Sequence, residues 1–465
     1  MPPEVEKSLA DATRQSVWTQ AFPTDWDFPT LTGEQKTDLA VVGSGFTGLW
    51  TAILAKTRQP ERDVVVVEKD TLGHAASSRN GGFISESLTH GHAHGQAMWP
   101  DDMATLVELG RENMRQIRAF ISDYGIDAEW SDCGKTAIAV TPVQAEHLKA
   151  VYEINTRFGE AAELLDAEQM REDVASPTYL GGVRVRTGSG LFHPVKMLVG
   201  MVRVAQDLGV RFYQHSPIAA LQARRTGLDL VAPQGRLRAH KAVLATSVFS
   251  PLVGGIKARV LPLFDHVLAT EPLSAGHLDS LRWRESQGLT DLGNQFHYYR
   301  KTADNRIVWG GYDANYYFGD DSSPRREVRD ASHTLLAKHF FDTFPQLEGV
   351  RFEYQWAGVI DSTSRFTPYF STALGGRVAS ALGFTGLGTG SSRFGATVAL
   401  DLLDDTSSPL RSLEMVAQKP LPFPPEPFRY PLVQFTRWSL VKEDETGRRN
   451  LWLRLLESLK VGFNS

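Results

Sequence analysis

Cysteine is nearly absent from this sequence, since Cys133 is the only one among its 465 residues. A single thiol excludes an intramolecular disulfide. It also excludes a zinc or iron–sulfur site that several cysteines would ligate. The first residues include acids and lack the apolar segment of a secretory signal. We therefore expect a cytoplasmic protein.

Long apolar runs and an excess of basic residues are missing as well. No stretch of about 18 apolar residues is available to cross a bilayer. The chain has 49 Lys and Arg against 54 Asp and Glu, a net charge of −5, without the basic excess that binds nucleic acid. We expect neither a membrane nor a nucleic acid as partner, and the oligomeric state stays open. At 42 % hydrophobic residues, the chain can build the core of a large two-domain enzyme.

A glycine motif follows the first strongly apolar run. Residues 37–48 read "TDLAVVGSGFTG", and a helical segment and the buried-strand pattern "DVVVVEK" come next. In such a turn Gly43 allows the sharp bend, Gly45 lets the backbone approach a pyrophosphate, and Gly48 lets the helix pack on the sheet. Glu68 lies 20 residues after Gly48, where a carboxylate can bind ribose hydroxyls. The pattern predicts a dinucleotide-binding fold but does not separate NAD from FAD.

A second glycine-rich turn lies far along the chain, in "VASALGFTGLGTGSSRFG", again between a predicted strand and a predicted helix. Several β-like segments separate the two turns. The nucleotide domain is therefore predicted to be discontinuous. NAD dehydrogenases usually have a contiguous nucleotide domain, so this organisation favours FAD.

The segments "SSRNGGF", "GSGLFHPVKM", "YYRKTADNRIVWGG" and "GFTGLGTG" stand in the same order as in a known group of enzymes. With them, the sequence resembles the D-amino-acid oxidase/glycine oxidase superfamily of FAD oxidoreductases. Within it, the sequence is most similar to the γ-glutamylputrescine oxidoreductase-like branch. The similarity spans residues 39–390.

The resemblance implies an α/β (α+β) fold, in which a mixed or antiparallel sheet for substrate is inserted into a Rossmann-like FAD domain. We expect the FAD domain to comprise 37–90, 183–255 and 350–405. The substrate domain is expected to comprise 91–182 and 256–349. An N-terminal arm, 1–36, and a proline-rich tail with a terminal helix, 406–465, complete the prediction.

The resemblance also implies which residues contact FAD. The pyrophosphate, ribose and flavin contacts fall on Gly43, Gly45, Phe46, Thr47, Gly48, Glu68, Lys69, Ser78, Arg79, Asn80, Gly81, Gly82, Thr246, Gly386, Gly388 and Thr389. Arg79 stands where some relatives bear a flavin-linked histidine, and no cysteine lies near Gly358, where others bear a flavin-linked cysteine. The implied FAD is therefore non-covalent.

The implied activity is oxidation of the C–N bond of an amine or amino-acid derivative, such as a γ-glutamylated or otherwise substituted amine. A hydride equivalent passes to flavin N5, and the imine then hydrolyses. Substrate-binding and oxygen-activating lysines of sarcosine oxidases are replaced by Gly390 and Trp309. Oxygen and another electron acceptor therefore both remain open as partners of the amine substrate.

The sequence shows no catalytic acid–base pair. Candidate substrate-side residues lie on the β segments, where strand alternation puts Phe296, Tyr298 and Arg300 on one face. The candidates are Tyr298, Arg300, Trp309, Tyr312, Trp356 and Arg365. Two alternatives remain: a flavin- or folate-linked transferase or RNA-modifying protein of the same superfold, and a non-catalytic FAD-binding protein.

The stretch "GHAASSRNGGFISESLTHGHAHG" contains three closely spaced histidines, His90, His92 and His94. Histidines at i, i+2 and i+4 can chelate a metal. No carboxylate or cysteine nearby completes such a site, and flavin chemistry needs no metal, so we expect none. The glycines are explained by backbone that lies flat against a planar ligand. The role of the histidines stays open, as does that of the tail.

Overall fold

A computed structural model describes residues 3–24, 26–249, 251–405 and 407–462 of the protein. Its strands are β1 (Gly33–Val42), β2 (Val64–Val67), β3 (Phe83–Ser85), β4 (Lys135–Ala139), β5 (Ala162–Asp166), β6 (Gly181–Val185), β7 (Ser189–Leu191), β8 (Arg211–Tyr213), β9 (Ala220–Arg224), β10 (Gly227–Val231), β11 (Gly235–Leu244), β12 (Leu261–Thr270), β13 (Gly288–Asp291), β14 (His297–Lys301), β15 (Ile307–Gly311), β16 (Phe352–Ser362), β17 (Tyr369–Ala373) and β18 (Val378–Leu382).

The helices are α1 (Pro3–Leu9), α2 (Phe46–Arg58), α3 (His92–Met98), α4 (Met103–Asp123), α5 (Pro142–Arg157), α6 (Ala167–Asp173), α7 (Pro194–Asp207), α8 (Ala275–Leu281), α9 (Asp330–Thr343), α10 (Gly388–Asp404), α11 (Glu414–Ala417), α12 (Arg429–Thr446) and α13 (Leu451–Ser458). Within the described ranges, no helix combines the length and apolar character needed to cross a membrane.

The first sheet carries the glycine motif. Its strands run in the order β17-β18-β11-β1-β2-β8, and β10 and β9 extend from β11 as an antiparallel branch. The pairs formed by β1 with β11 and with β2 are parallel. All four valines of β2 are buried, because neighbouring strands and helices cover the strand on every side. The parallel pairing brings the carboxyl ends of β1 and β2 to one edge, where the glycine turn lies.

The second sheet has the order β16-β12-β15-β14-β13-β4-β6-β5, and most of its pairs are antiparallel. One face packs against α9, through a cluster that includes Tyr299, Trp309, Phe340 and Phe344. Since side chains alternate along each strand, Tyr298 points to the opposite face. Residues of that face and of the carboxyl edge of the first sheet line one cavity.

The predicted domain boundaries differ from the strand pairing in three places. Residues 33–36 were expected in the N-terminal arm but begin β1 of the first sheet. Residues 183–185 and 352–362 were expected in the FAD domain, whereas β6 and β16 belong to the second sheet. The reason for β16 is its long antiparallel pairing with β12, from Leu261 opposite Ser362 to Thr270 opposite Phe352. A partner some 90 residues away leaves no local signal in the sequence. The predicted tail contains two main helices, α12 and α13.

The contact between α2 and the first sheet generates a stability prediction. A Cβ on Gly48 would lie 1.9 Å from the carbonyl oxygen of Gly43, which is backbone and cannot rotate away. We expect Gly48→Ala to lower the free energy of unfolding by about 3 kcal/mol, as overpacking of a tight contact does. Chemical denaturation measures the change.

Gly276→Ala is the matched control, because a Cβ there meets nothing closer than the Ser274 hydroxyl at 4.0 Å. Alanine is the better helix former, so this variant should be as stable as the wild type or slightly more so. Equal effects of the two substitutions would contradict the close approach.

Candidate active site

One cavity of about 1010 Å³ begins at the glycine turn and continues between the two sheets. At one end it is lined by residues 42–47, and at the other by strands of the second sheet and by the tail helices α12 and α13. Its volume is at the upper end of the range found for small-molecule sites. The cavity is therefore suited to a large ligand together with a smaller one.

The first end of the cavity is built from close backbone contacts. Gly43 adopts a φ of +105°, and a Cβ there would lie 2.4 Å from the carbonyl oxygen of Ala245. Glu68 is held at the rim, because its Oε2 accepts hydrogen bonds from the Ser44 N–H at 2.9 Å and from its hydroxyl at 2.7 Å. The N-terminus of α2 opens onto the cavity here, and the positive end of its helix dipole favours an anion.

A second helix N-terminus meets the cavity further along, where residues 384–389 lead into α10. Asp361 of β16 holds this turn, accepting hydrogen bonds from the N–H groups of Gly383 at 2.7 Å and Phe384 at 3.1 Å. Burial raises the pKa of Asp361 to about 6. A Cβ on Gly386 would reach no atom closer than His90 Cε1 at 4.0 Å, so the turn faces open space.

The loop of residues 79–82 connects the two ends, and its carbonyl groups accept hydrogen bonds from side chains that lie outside the cavity lining. Trp18 Nε1 donates to the Asn80 carbonyl at 2.8 Å, and Trp356 Nε1 donates to the Arg79 carbonyl at 2.9 Å. Arg300 Nη1 donates to the carbonyl of Gly82 at 3.0 Å and to that of Phe192 at 2.8 Å. Trp356 and Arg300, two of the substrate candidates, therefore support the loop and do not line the cavity.

The second sheet supplies a polar pair on the opposite wall. Tyr298 Oη donates to Asp265 Oδ2 at 2.5 Å, and both residues line the cavity. Burial raises the pKa of Asp265 to about 6, and burial beside that carboxyl raises the pKa of Tyr298 well above its ordinary value. The Tyr298 ring lies against the loop, because a Cβ on Gly81 would come within 2.5 Å of it.

The remaining substrate candidates divide between the cavity and the core. Tyr312 and Phe296 line the cavity. Trp309 packs with Tyr299 and Phe344 on the face that α9 covers. Arg365 donates to the carbonyls of Pro368 and Met415 and thereby holds the segment that leads to the tail.

Most of the predicted FAD residues lie along the cavity. The lining includes Gly43, Gly45, Phe46, Thr47, Glu68, Lys69, Arg79, Asn80, Gly81, Thr246, Gly386, Gly388 and Thr389. Gly48, Ser78 and Gly82 lie outside the lining. Ser78 precedes the loop, Gly82 belongs to its backbone, and Gly48 lies where α2 meets the turn.

The three histidines have three different partners. His90 Nε2 bonds to the Thr385 carbonyl at 2.5 Å, His94 Nε2 bonds to the Arg365 carbonyl at 3.0 Å, and His92 lies 3.4 Å from Glu160. Burial, together with the charges of His94 and Lys135, lowers the pKa of His90 to about 4. In the part of the chain that the structure describes, no three His, Cys, Asp or Glu side chains are grouped to hold a metal.

The tail forms the roof of the cavity with apolar side chains, including Leu432, Leu440, Trp452 and Leu456. It is tied to loops of the second sheet by polar contacts. Asp444 accepts hydrogen bonds from the N–H groups of Asn294 at 2.8 Å and Gln295 at 2.9 Å. The tail therefore belongs to the site.

Sequence reasoning missed Asp265, Asp361 and Lys135, which all line the cavity. A signal was present, because each is a charged residue in a strand of otherwise mostly apolar or small residues, as in "LPLFDHVLAT" and "GKTAIAV". An isolated charge in a buried strand requires a partner. The tail residues carried no comparable signal.

The match of residues 38–402 to the DAO family, described as FAD dependent oxidoreductase, decides the identification. The chain belongs to the DAO family. Gamma-glutamylputrescine oxidoreductase of Escherichia coli is 30 % identical over 347 residues, covering 74 % of this chain and 78 % of the relative. A probable oxidoreductase OrdL of Haemophilus influenzae is 28 % identical over 354 residues, with the same two shares.

A solved structure shows the same fold. Glycine oxidase from Geobacillus kaustophilus superposes with a TM-score of 0.67 at 19 % identity, covering 81 % of this chain and 96 % of that one. This DAO-family protein is thus an FAD-dependent oxidoreductase, as the resemblance predicted, and its mixed α/β architecture is confirmed.

The residues of the cavity fit FAD on their own geometry. The glycine turn leaves no room for side chains where a pyrophosphate would approach, and Glu68 stands at the rim for a ribose. The N-terminus of α10 would face the edge of the flavin ring, where negative charge develops when the flavin is reduced. Together, the two helix N-termini suit an elongated ligand with a pyrophosphate in its middle and, at one end, a ring that gains negative charge.

The raised pKa of Asp265 generates a prediction for pH dependence. The folded state binds this proton more tightly than the unfolded state, whose carboxyl has the ordinary pKa of 3.8. Stability contributed by the protonated form is therefore lost as the pH rises from about 4 to about 6. Between pH 4 and pH 7, the free energy of unfolding should decrease in the wild type because of this carboxyl. In Asp265→Asn, which has no such proton to lose, we expect the decrease to be smaller by about 2 kcal/mol.

Denaturation with urea at several pH values measures this difference. Asp279→Asn, at an exposed position of α8, should follow the wild-type pH dependence. Parallel pH profiles for the wild type and Asp265→Asn would show that burial does not perturb this carboxyl.

Proposed function

We propose that the protein oxidises the C–N bond of an amine or amino-acid derivative, with oxygen or another electron acceptor reoxidising the cofactor. The observation that carries the proposal is the single cavity, which joins the glycine turn and the α10 turn to a wall bearing Tyr298 and Asp265. A small amine enclosed there would lie beside the loop of residues 79–82.

When bound, FAD would accept a hydride equivalent from the carbon that bears the amine, and the resulting imine would hydrolyse in water. The protein must orient the amine and exclude water during that step. The hydroxyl of Tyr298 donates its proton to Asp265, so its oxygen lone pairs are available to accept a hydrogen bond from an amine N–H.

Asp265 fixes the direction of that hydroxyl. With a pKa of about 6, its carboxyl is largely ionised at neutral pH and acts as an acceptor. His90, whose pKa is lowered to about 4 by burial, stays neutral there and does not repel a protonated amine. The apolar roof formed by α12 and α13 covers this end of the cavity and limits the access of water to it.

Anaerobic mixing of the purified yellow protein with a panel of amines, amino acids and 2-hydroxy acids tests the proposal. We expect amines to bleach the flavin absorbance, and repetition in air with peroxide detection identifies oxygen as acceptor. A protein that takes up no FAD, or a flavin bleached by 2-hydroxy acids alone, would overturn it. A yellow protein that no amine bleaches would favour a carrier, or a transferase of the same superfold.

The adjacent tyrosines of β14 offer a matched pair of variants. Tyr298→Phe removes the acceptor oxygen from the cavity and should slow flavin reduction by an amine about tenfold, the value of one hydrogen bond. Tyr299→Phe removes a hydroxyl on the opposite face, where it bonds to Tyr179 at 2.8 Å. That variant should reduce its flavin at the wild-type rate, as stopped-flow absorbance can show. Equal rates in both variants would remove Tyr298 from the mechanism.

A further inference from the structure

The tail exposes more large apolar side chains than the rest of the protein does. Fourteen such side chains are exposed in the described parts of the chain, and eight of them lie between residues 421 and 459. The eight are Leu421, Phe428, Tyr430, Phe435, Trp438, Leu451, Leu455 and Leu459. Scattered apolar residues are normal on a protein surface, whereas a contiguous group of them marks an interaction site.

Three leucines form a stripe along the outer side of α13 and its C-terminal end. Leu451, Leu455 and Leu459 are spaced by four residues, which places them on one side of the helix. Leu451 is 81 % exposed, and the other two are 50 % exposed. Trp452 and Leu456 of the same helix line the cavity. A helix with apolar residues on both sides is normally covered on both sides, yet the stripe faces solvent.

Aromatic side chains of α12 extend this stripe. Phe435 and Trp438 are both exposed, and their rings stack with centroids 5.6 Å apart. The Phe435 ring also lies 5.8 Å from the ring of Trp452, which neighbours Leu455 on α13. The aromatic pair and the leucine stripe therefore form one continuous surface, the tail patch.

Basic residues surround the tail patch. Arg448 lies in the turn before α13, Arg454 lies on α13 three residues after Leu451, and Lys460 directly follows the leucine stripe. All three side chains are exposed. Among the residues that the structure describes, none of the three forms an ion pair. The edge of the patch is therefore cationic.

The sign of this charge indicates what kind of surface the patch fits. The exposed acids nearby, Glu445 and Glu457, are already paired with Lys442 and Arg449. The three unpaired cations thus stand out on a protein with a net charge of −5. A second copy of the chain would bring the same cations together, because a twofold contact uses the same patch on both partners. An anionic surface would attract all three.

We propose that the tail patch docks the protein onto an anionic lipid surface. The leucine stripe and the aromatic pair enter the boundary between headgroups and acyl chains, and the three cations contact anionic headgroups. No membrane partner was expected from the sequence, because no apolar run is long enough to cross a bilayer. Contact with one leaflet needs no such run, since the apolar residues come together from two helices.

Docking also concerns the cavity, because the patch reaches its mouth. Leu459 is half exposed and at the same time lines the cavity. A docked protein would therefore hold the mouth of the cavity at the lipid surface. The proposal goes beyond the oxidation of an amine and does not depend on it.

Co-sedimentation of the FAD-loaded protein with lipid vesicles tests the proposal. We expect binding to vesicles of equal parts phosphatidylglycerol and phosphatidylcholine, and binding weaker by about tenfold or more to vesicles of phosphatidylcholine alone. The double variant Leu451→Ser, Leu455→Ser should bind the anionic vesicles more weakly than the wild type, by about tenfold or more. Leu164→Ser with Leu374→Ser, at two exposed leucines outside the tail, is the matched control and should bind normally. An unchanged flavin absorbance spectrum shows that the variants are folded.

Arg454→Gln tests the contribution of charge. A basic residue near an anionic surface contributes about fivefold in affinity, so this variant should bind the anionic vesicles about fivefold more weakly. Lys149→Gln, on the exposed surface of α5, removes the same charge elsewhere and should bind as the wild type does. No binding to vesicles, equal binding to both compositions, or wild-type binding by the leucine variant would each overturn the proposal. So would a dimer in analytical ultracentrifugation that the leucine variant dissociates, because the patch would then join two copies of the chain.

Discussion

Buried charges that bond to backbone groups, rather than to each other, hold the two sheets together. The Arg300 guanidinium of the second sheet donates to the carbonyls of Gly82 and Phe192. The Asp361 carboxylate of the same sheet accepts from the N–H groups that precede α10. A buried charge must be satisfied by such bonds. The positions of the two turns relative to the second sheet, and with them the shape of the cavity, depend on these contacts.

The same principle separates the buried charges that have partners within the fold from a charge that has none. Arg300 and Arg365 end on backbone carbonyls, and their pKa values fall to about 10 because they are buried. They are satisfied within the fold. Lys135 instead projects into the cavity and meets no acceptor among the described residues. The difference lies in what surrounds each charge, not in the type of residue.

Sequence reasoning reached most of the residues that line the glycine-turn end of the cavity but few of those on the wall of the second sheet. The glycine turn, Glu68 and the turn before α10 are short local patterns whose spacing reflects one ligand. On that wall, strand alternation predicted that Tyr298 and Tyr299 lie on opposite faces of the sheet, and Tyr298 lines the cavity. Trp309, which was also a substrate candidate, lies instead on the face that α9 covers. Alternation tells which residues share a face and not which face a helix covers.

The sequence by itself determined the strand–turn–helix unit, its anion-binding end and the absence of disulfide chemistry, because these follow from contacts between residues close along the chain. Only the tertiary structure decided that Trp356 and Arg300 support a loop, that Asp265 orients Tyr298, and that the tail roofs the cavity. Each of these contacts joins segments separated by 33 or more residues. Which residues meet in these contacts depends on how the two sheets pack, and no local sequence pattern encodes that packing.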